Sequence, residues 1–370
     1  MTTAYATPES RLPNIKDCTI QELEAILSAF GEPGFRAAQL HRWLFSQRAS
    51  DFEEMTTLGA ALRKKLGETY AIRSASVIST VGEKKGNVSG DAGPTAKYLL
   101  RLDDDETIES VLIPSGTRLT ACISSQAGCP LACAFCATGS MGFRRNLTAS
   151  EMTDQVFALQ REAEKEKLKQ ITNLVFMGMG EPLLNLYSVI EAVHILSAAN
   201  YSFSMSQRKI SISTVGLIPE ILQLGASGLK TKLAVSLHAA DQSKREALMP
   251  VAKRYPIEDL RDALVRYTER SGLPVTLVYM MLDGINDTVA DARKLAGFAG
   301  RFLCKINLID YNPIVNIRFR PACSETRDTF VQLLLDAGLP VTVRRSQGAS
   351  INAACGQLAT SSGISSPLPR

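Results

Sequence analysis

The chain has 370 residues, 45% of them hydrophobic and 21% charged, and its 41 Lys and Arg against 37 Asp and Glu give a formal charge of +4. This length can bury a full-sized core, as one large α/β domain with appendages or as two domains, and the composition excludes general disorder. Residues 1–10 lack the apolar segment of a secretory signal, and no apolar run reaches bilayer-spanning length without a charge or breaker, so a cytoplasmic protein with no membrane partner is expected.

In chain order, Thr19 and Glu22 form a capping box ahead of Leu23, Leu27 and Phe30 on one helical face, with Gly31 as a stop. Further helices are expected over 35–48 and 57–66, making residues 1–75 a small helical unit rich in Arg and Lys. A strand-like extension over 76–115 follows, with strands at 97–100 and 110–113. From about Leu119 short apolar runs alternate with helical patterns: 120–124, 173–177, 209–213, 233–237, 275–281, 306–310 and 341–344. Thr148 and Glu151 cap the first of these helices, which runs toward Lys169. Such alternation predicts parallel β/α units, here a partial (β/α)6-type, TIM-like barrel over 116–345. A C-terminal segment, 346–370, ends in a Ser/Pro/Gly tail from Thr360 that is expected to be disordered.

A barrel delivers its active site at the C-terminal ends of its strands, and the residues closing these runs are polar or small: 178–181, Ser213, 236–238, 283–284 and 310–312. Gly178-Met-Gly180-Glu181 is no Rossmann fingerprint, because Leu183 stands where a third glycine is needed and Pro182 interrupts a direct helix start. Taken alone, His238 reads more readily as a satisfied structural histidine, and Cys122 as a strand residue.

Eight cysteines in a chain without a secretion signal point to metal binding or catalysis rather than to a disulfide framework. Cys129-Pro-Leu-Ala-Cys133-Ala-Phe-Cys136 packs three thiols into one loop after the first barrel strand. Three thiolates can hold three corners of a [4Fe-4S] cluster and leave one iron open. The competing reading is a zinc site that stabilises a non-catalytic RNA-binding module, but zinc knuckles usually show a second paired element and none is present. Cys18, Cys304 and Cys323 match no motif, and Cys355 on its own could be a small buried residue.

The cysteine triplet resembles the radical S-adenosylmethionine superfamily. Together with Cys122-Ile-Ser-Ser-Gln-Ala-Gly-Cys129, Gly178-Met-Gly-Glu-Pro182, Ser236-Leu-His238 and Ala354-Cys355-Gly-Gln-Leu358, it resembles the RlmN/Cfr family of RNA methyltransferases, over about residues 15–358. That resemblance implies a [4Fe-4S] cluster on Cys129, Cys133 and Cys136, and S-adenosylmethionine, two molecules per turnover, held by Gly180, Glu181, Ser213, Ser236, Leu237, His238 and Asn312. It implies that Cys355 carries a methyl group, that a deoxyadenosyl radical activates it for addition to an adenine, that Glu109 accepts the ring proton, and that Cys122 releases the product through a transient disulfide with Cys355. The implied substrates are 23S rRNA and tRNA, and the implied reductant is of flavodoxin type. Pro182 and the helix around 35–43 favour methylation at adenine C2, with the C8 enzyme as the alternative.

A base must leave its stack to reach such chemistry, which RNA loops permit at least expense. The basic pairs Lys84-Lys85, Arg144-Arg145, Arg208-Lys209 and Arg344-Arg345, with Arg318 and Arg320, are candidate phosphate contacts or a solvated surface. Of these, Arg344-Arg345 and the N-terminal helices are expected to grip RNA.

Overall fold

The computed structural model describes residues 12–83, 93–199, 203–314, 317–344 and 347–360. The pair Lys84-Lys85, Arg345, residues 1–10 and the tail beyond Thr360 lie outside the described residues. The chain forms two compact units, Met1–Ser74 with His194–Ser204, and Ala75–Val193 with Met205–Arg370.

In the first unit the helices are α1 (Ile20–Ala29), α2 (Phe35–Arg42) and α3 (Ala60–Thr69). The Thr19 and Glu22 side chains close the capping box on α1 reciprocally. The second expected helix is α-helical only to Arg42 and continues as a π-turn over Trp43–Gln47, and the third begins at Ala60 rather than at Thr57. Leu23, Leu27, Leu40, Leu44, Met55, Leu58 and Leu66 are almost fully buried and form its core. Much of the positive charge here is engaged locally: Arg63 pairs with Glu53, Arg36 with Glu32, and Lys65 lies over the Phe30 ring.

The second unit opens with the strands β1 (Ser76–Gly82), β2 (Ala96–Arg101), β3 (Thr107–Ser115) and β4 (Arg118–Ile123). A small hairpin, β5 (Gln126–Gly128) with β6 (Phe143–Asn146), encloses α4 (Ala137–Ser140). Then come α5 (Ala149–Lys165), β7 (Asn173–Phe176), α6 (Leu186–Ser197, of which the residues from His194 count with the first unit), β8 (Ile210–Thr214), α7 (Ile218–Ala226), β9 (Lys232–Ser236), α8 (Gln242–Leu248), α9 (Ile257–Ser271), β10 (Val275–Met281), α10 (Val289–Ala299), β11 (Cys304–Asp310), α11 (Ser324–Asp336) and β12 (Val341–Arg344). Among the described residues, ten strands form one sheet in the order β1-β2-β3-β4-β7-β8-β9-β10-β11-β12. From β4 to β12 every pairing is parallel, and β1 to β4 pair antiparallel. This is the expected partial barrel: six β/α crossovers and a seventh parallel strand, open between its first and last strands.

Side chains alternate across this sheet. Leu174, Phe176, Ile210, Ile212, Leu233, Val235, Leu277, Tyr279, Ile306 and Leu308 are fully buried on one face. Helices cover that face: Tyr279 stacks at 5.4 Å on Phe330 of α11, and Ser110 donates to Gln155 of α5 at 2.8 Å. Glu109, Cys122, Ser213 and Ser236 sit at the alternate positions, on the face turned away from the helices, called the inner face below.

Candidate active site

Register brings the sequence motifs to one edge. The C-terminal residues of the parallel strands align as Ile123 with Phe176, Thr214 with Val235, Ser236 with Val278, Met281 with Asp310 and Ile309 with Arg344. Each is followed by a loop that carries candidate residues. Glu109 joins them from an antiparallel strand, because Val111 pairs with Cys122 and the Ser124 hydroxyl donates to the Glu109 carbonyl at 2.6 Å.

The three-cysteine loop leaves β5 at Gly128. That glycine has φ +76°, and a Cβ there would lie 2.0 Å from the Gly142 carbonyl oxygen, which accepts the Cys129 N–H at 2.9 Å. Ala134 donates its amide to the Leu248 carbonyl at the end of α8 (2.9 Å), and Cys133 and Phe135 pack on Leu248, Met249 and Tyr311. Burial pushes the Cys129 thiol up to about 12 and Cys133 further, and Cys136 adds to the rise of both. As they stand, no three His, Cys, Asp or Glu side chains among the described residues are placed to hold a metal ion. The donor set nevertheless fits a cluster. Three soft thiols share one loop, and their protons are what ligation would displace.

A buried cation with only part of its donors satisfied stands beside them. Arg245 of α8 is wholly buried, donates through Nη2 to the Val215 carbonyl, and leaves Nε and Nη1 without partners. Burial lowers it to about 10, and Cys133 is the acidic group that opposes this.

The turn after β7 is tightly fitted. Gly180 has φ +97° and a Cβ there would meet Gln126 at 2.5 Å, so only glycine fits. Gln126 accepts the Glu181 N–H at 2.9 Å, while the Glu181 carboxylate accepts from Leu183 N–H (3.0 Å) and Val215 N–H (2.9 Å). Burial nonetheless pushes Glu181 up to about 7. His238, buried with φ +55°, accepts the Met280 N–H on Nδ1 at 3.1 Å, and its ring meets Phe135 edge-on at 4.7 Å. Burial, then Arg245, lowers it to about 3, so it is neutral with its proton on Nε2. Ser213 and Ser236 are half-buried on the inner face, Leu237 is buried, and the Asn312 amide donates to the Cys355 carbonyl at 3.3 Å.

After β12 the chain returns across this edge as a strap. Ala137 N–H donates to Gly356 O (2.7 Å), Thr138 Oγ1 to Leu358 O (2.7 Å), Gln357 Nε2 to Pro313 O (3.0 Å) and Ala359 N–H to Glu109 Oε2 (2.9 Å). The strap brings Cys355 within electrostatic reach of Cys122 and Cys136: Cys355 bears on Cys122, and Cys136 on Cys355. Cys122 is buried and strongly raised. Cys355 is reached by solvent, yet the surrounding protein raises its thiol, and Arg344 offsets part of that rise.

Glu109 is buried, and its Oε1 pairs with Lys97 Nζ at 3.0 Å. Burial raises it and Lys97 pulls it back. Lys97, Gln126 and Arg245 were not legible as site residues, since each is one polar side chain in an ordinary strand or helix pattern and only register and burial expose it. The pair Arg144-Arg145 splits: Arg144 is exposed, whereas Arg145 is held by Asp104 and Glu151. Among the described residues no helix is long and apolar enough to cross a membrane.

Known proteins resemble this chain over nearly its whole length. Residues 123–296 match the model of the radical SAM superfamily, and 13–72 that of the ribosomal RNA large subunit methyltransferase N-terminal domain. A probable dual-specificity RNA methyltransferase RlmN of Pelodictyon phaeoclathratiforme is 58% identical over 94% of this chain and 97% of its own. One of Chlorobaculum tepidum is 58% identical over 94% and 93%. The crystal structure of a radical SAM methyltransferase from Sphaerobacter thermophilus superposes with a TM-score of 0.83 at 40% identity, covering 94% of this chain and 99% of that one. With an inner-edge thiol pair beside a three-cysteine loop, and relatives this similar over nearly their whole length, the chain belongs to the RlmN family of radical S-adenosylmethionine methyltransferases.

Proposed function

We propose that this enzyme methylates C2 of an adenine in structured RNA, in 23S rRNA and in tRNA, through a methyl group carried on Cys355. The observation that carries the reading is the convergence of Cys122, Cys355 and Glu109 on the edge that also bears the three-cysteine loop. Cys129, Cys133 and Cys136 would hold the [4Fe-4S] cluster, which when bound supplies the electron for cleaving S-adenosylmethionine. Gly180 and Glu181 would take the cofactor's amino group, and Ser213, Ser236, Leu237, His238 and Asn312 its carboxylate, ribose or adenine. One cofactor molecule would methylate Cys355 and a second would activate it.

The chain's own groups suit these roles. Cys355 is exposed, so an RNA base would reach it, and the Cys122 thiol, buried and raised, would attack Cys355 as the thiolate after giving up its proton. Glu109, held by Lys97, would take the ring proton. A small one-electron carrier of flavodoxin type is the proposed reductant. The test is anaerobic incubation of the reconstituted enzyme with labelled S-adenosylmethionine, reductant and rRNA or tRNA fragments, followed by mass analysis of the nucleosides. Label at adenine C2, with a covalent RNA–protein adduct accumulating in Cys122→Ala, supports the reading. Label at C8, or an iron-free wild type, sinks it.

A further inference from the structure

The inner face below the catalytic edge carries charge that the reaction steps above do not use. Reading the register across the sheet, the inner-face positions of β2 to β4 and β7 to β12 hold one carboxylate, Glu109, already paired with Lys97. They also hold Arg101, Arg118, Lys232, Lys305 and Arg344, all exposed and none in an ion pair among the described residues. Three of the others bear on Lys232: burial, then Lys305, Arg118 and Arg344, lower its ammonium. A barrel interior is ordinarily filled by Val, Ile and Leu. Here the inner face also carries Thr120, Ser211, Thr276 and Asn307, short and polar, interleaved with Val175, Ala234 and Val278.

Like charges gathered without counter-ions cost stability, so their grouping calls for an anion. Position says which. Cys122, Val175, Ser211 and Lys232 form one hydrogen-bonded row across the sheet, and three strand spacings put Lys232 about 14 Å along it from the catalytic thiol. Arg344, at the end of β12 on the same face, bears electrostatically on both Lys232 and Cys355.

We propose that Arg118, Lys232, Lys305 and Arg344 form a phosphate-binding track on the inner face, which seats the sugar-phosphate backbone next to the target adenine. The inference rests on the RNA reading and names where within the enzyme that RNA runs.

The test compares RNA affinity of the reconstituted holoenzyme with those of Lys232→Gln, Lys305→Gln and the double variant across a salt series. Each lost phosphate contact lowers the slope of log affinity against log salt by about 0.7 for a single strand. The double variant should therefore weaken about sevenfold less than wild type over a fourfold rise in salt, with S-adenosylmethionine binding unchanged. Tripolyphosphate should raise the melting temperature of wild type and not of the double variant. Variants folded as judged by melting, with the wild-type salt slope, would overturn the track while leaving the methyltransferase reading intact. A wild type that binds cofactor but never labels RNA overturns that reading instead.

Discussion

Glu181 shows how one carboxylate is held against its solvation. Its folded pKa of about 7 lies above the ordinary value of 4.5, because burial outweighs three hydrogen bonds to the charged form. For an acid raised in this way, stability is fully present below pH 4.5 and is lost as pH rises through 7. Glu181→Gln removes that loss. The apo-protein variant should match wild type near pH 4 and exceed it above pH 7, by on the order of 1–3 kcal/mol, in urea denaturation followed across pH. An offset that does not vary with pH would refute the assignment.

Glu109 is opposed differently, since Lys97 favours its charged form. If Glu109 is the base, Lys97→Met should move the acidic limb of the methylation profile up by about 1–3 pH units, with recovery in Lys97→Arg. An unmoved limb would exclude Lys97 as a positioning residue. None of this was legible in sequence, because a pKa is set by neighbours that only folding supplies. The cysteines were legible, because three thiols in eight residues have few structural uses.

At the scale of elements, the parallel strands declared themselves. The runs at 275–281 and 341–344 match β10 and β12 end to end, and the others are displaced by one or two residues. Buried strands between covering helices must be apolar on at least one face, and that pattern survives any uncertainty in loops. The hairpin of β5 and β6 did not declare itself. Gln126-Ala-Gly and Phe-Arg-Arg-Asn are short and polar, and what pairs them is the close approach of Gly128 to Gly142. This gives a contrast between two glycines of nearly equal φ. Gly142→Ala, with no heavy atom within 4 Å of the added Cβ, should cost about 1 kcal/mol from backbone conformation alone. Gly128→Ala must also displace the carbonyl that accepts the Cys129 amide, and should cost more than about 3 kcal/mol and lower iron retention after reconstitution. Equal melting temperatures for the two variants would show that the hairpin does not hold the loop.

For the molecule as a whole, the open side of the sheet poses a problem that strand pairing does not solve. β12 and β1 are its two free edges, yet the chain after β12 returns to bond the Glu109 carboxylate of β3. The strap does this with side-chain and backbone bonds in place of a ladder, and its Ala353, Ala354 and Leu358 are buried. A segment held by a few bonds opens locally at far smaller free energy than the sheet beneath it. Thr138→Val deletes the hydroxyl that donates to the Leu358 carbonyl and leaves that buried acceptor unmet, a loss of about 1–2 kcal/mol. Amides at Ala137 and Ala359 should then exchange with deuterium about 5–30-fold faster, while those of β8 and β9 keep their wild-type rates. Uniform acceleration through the sheet would mean that the strap and the barrel open as one unit, and that Cys355 moves only when the whole fold does.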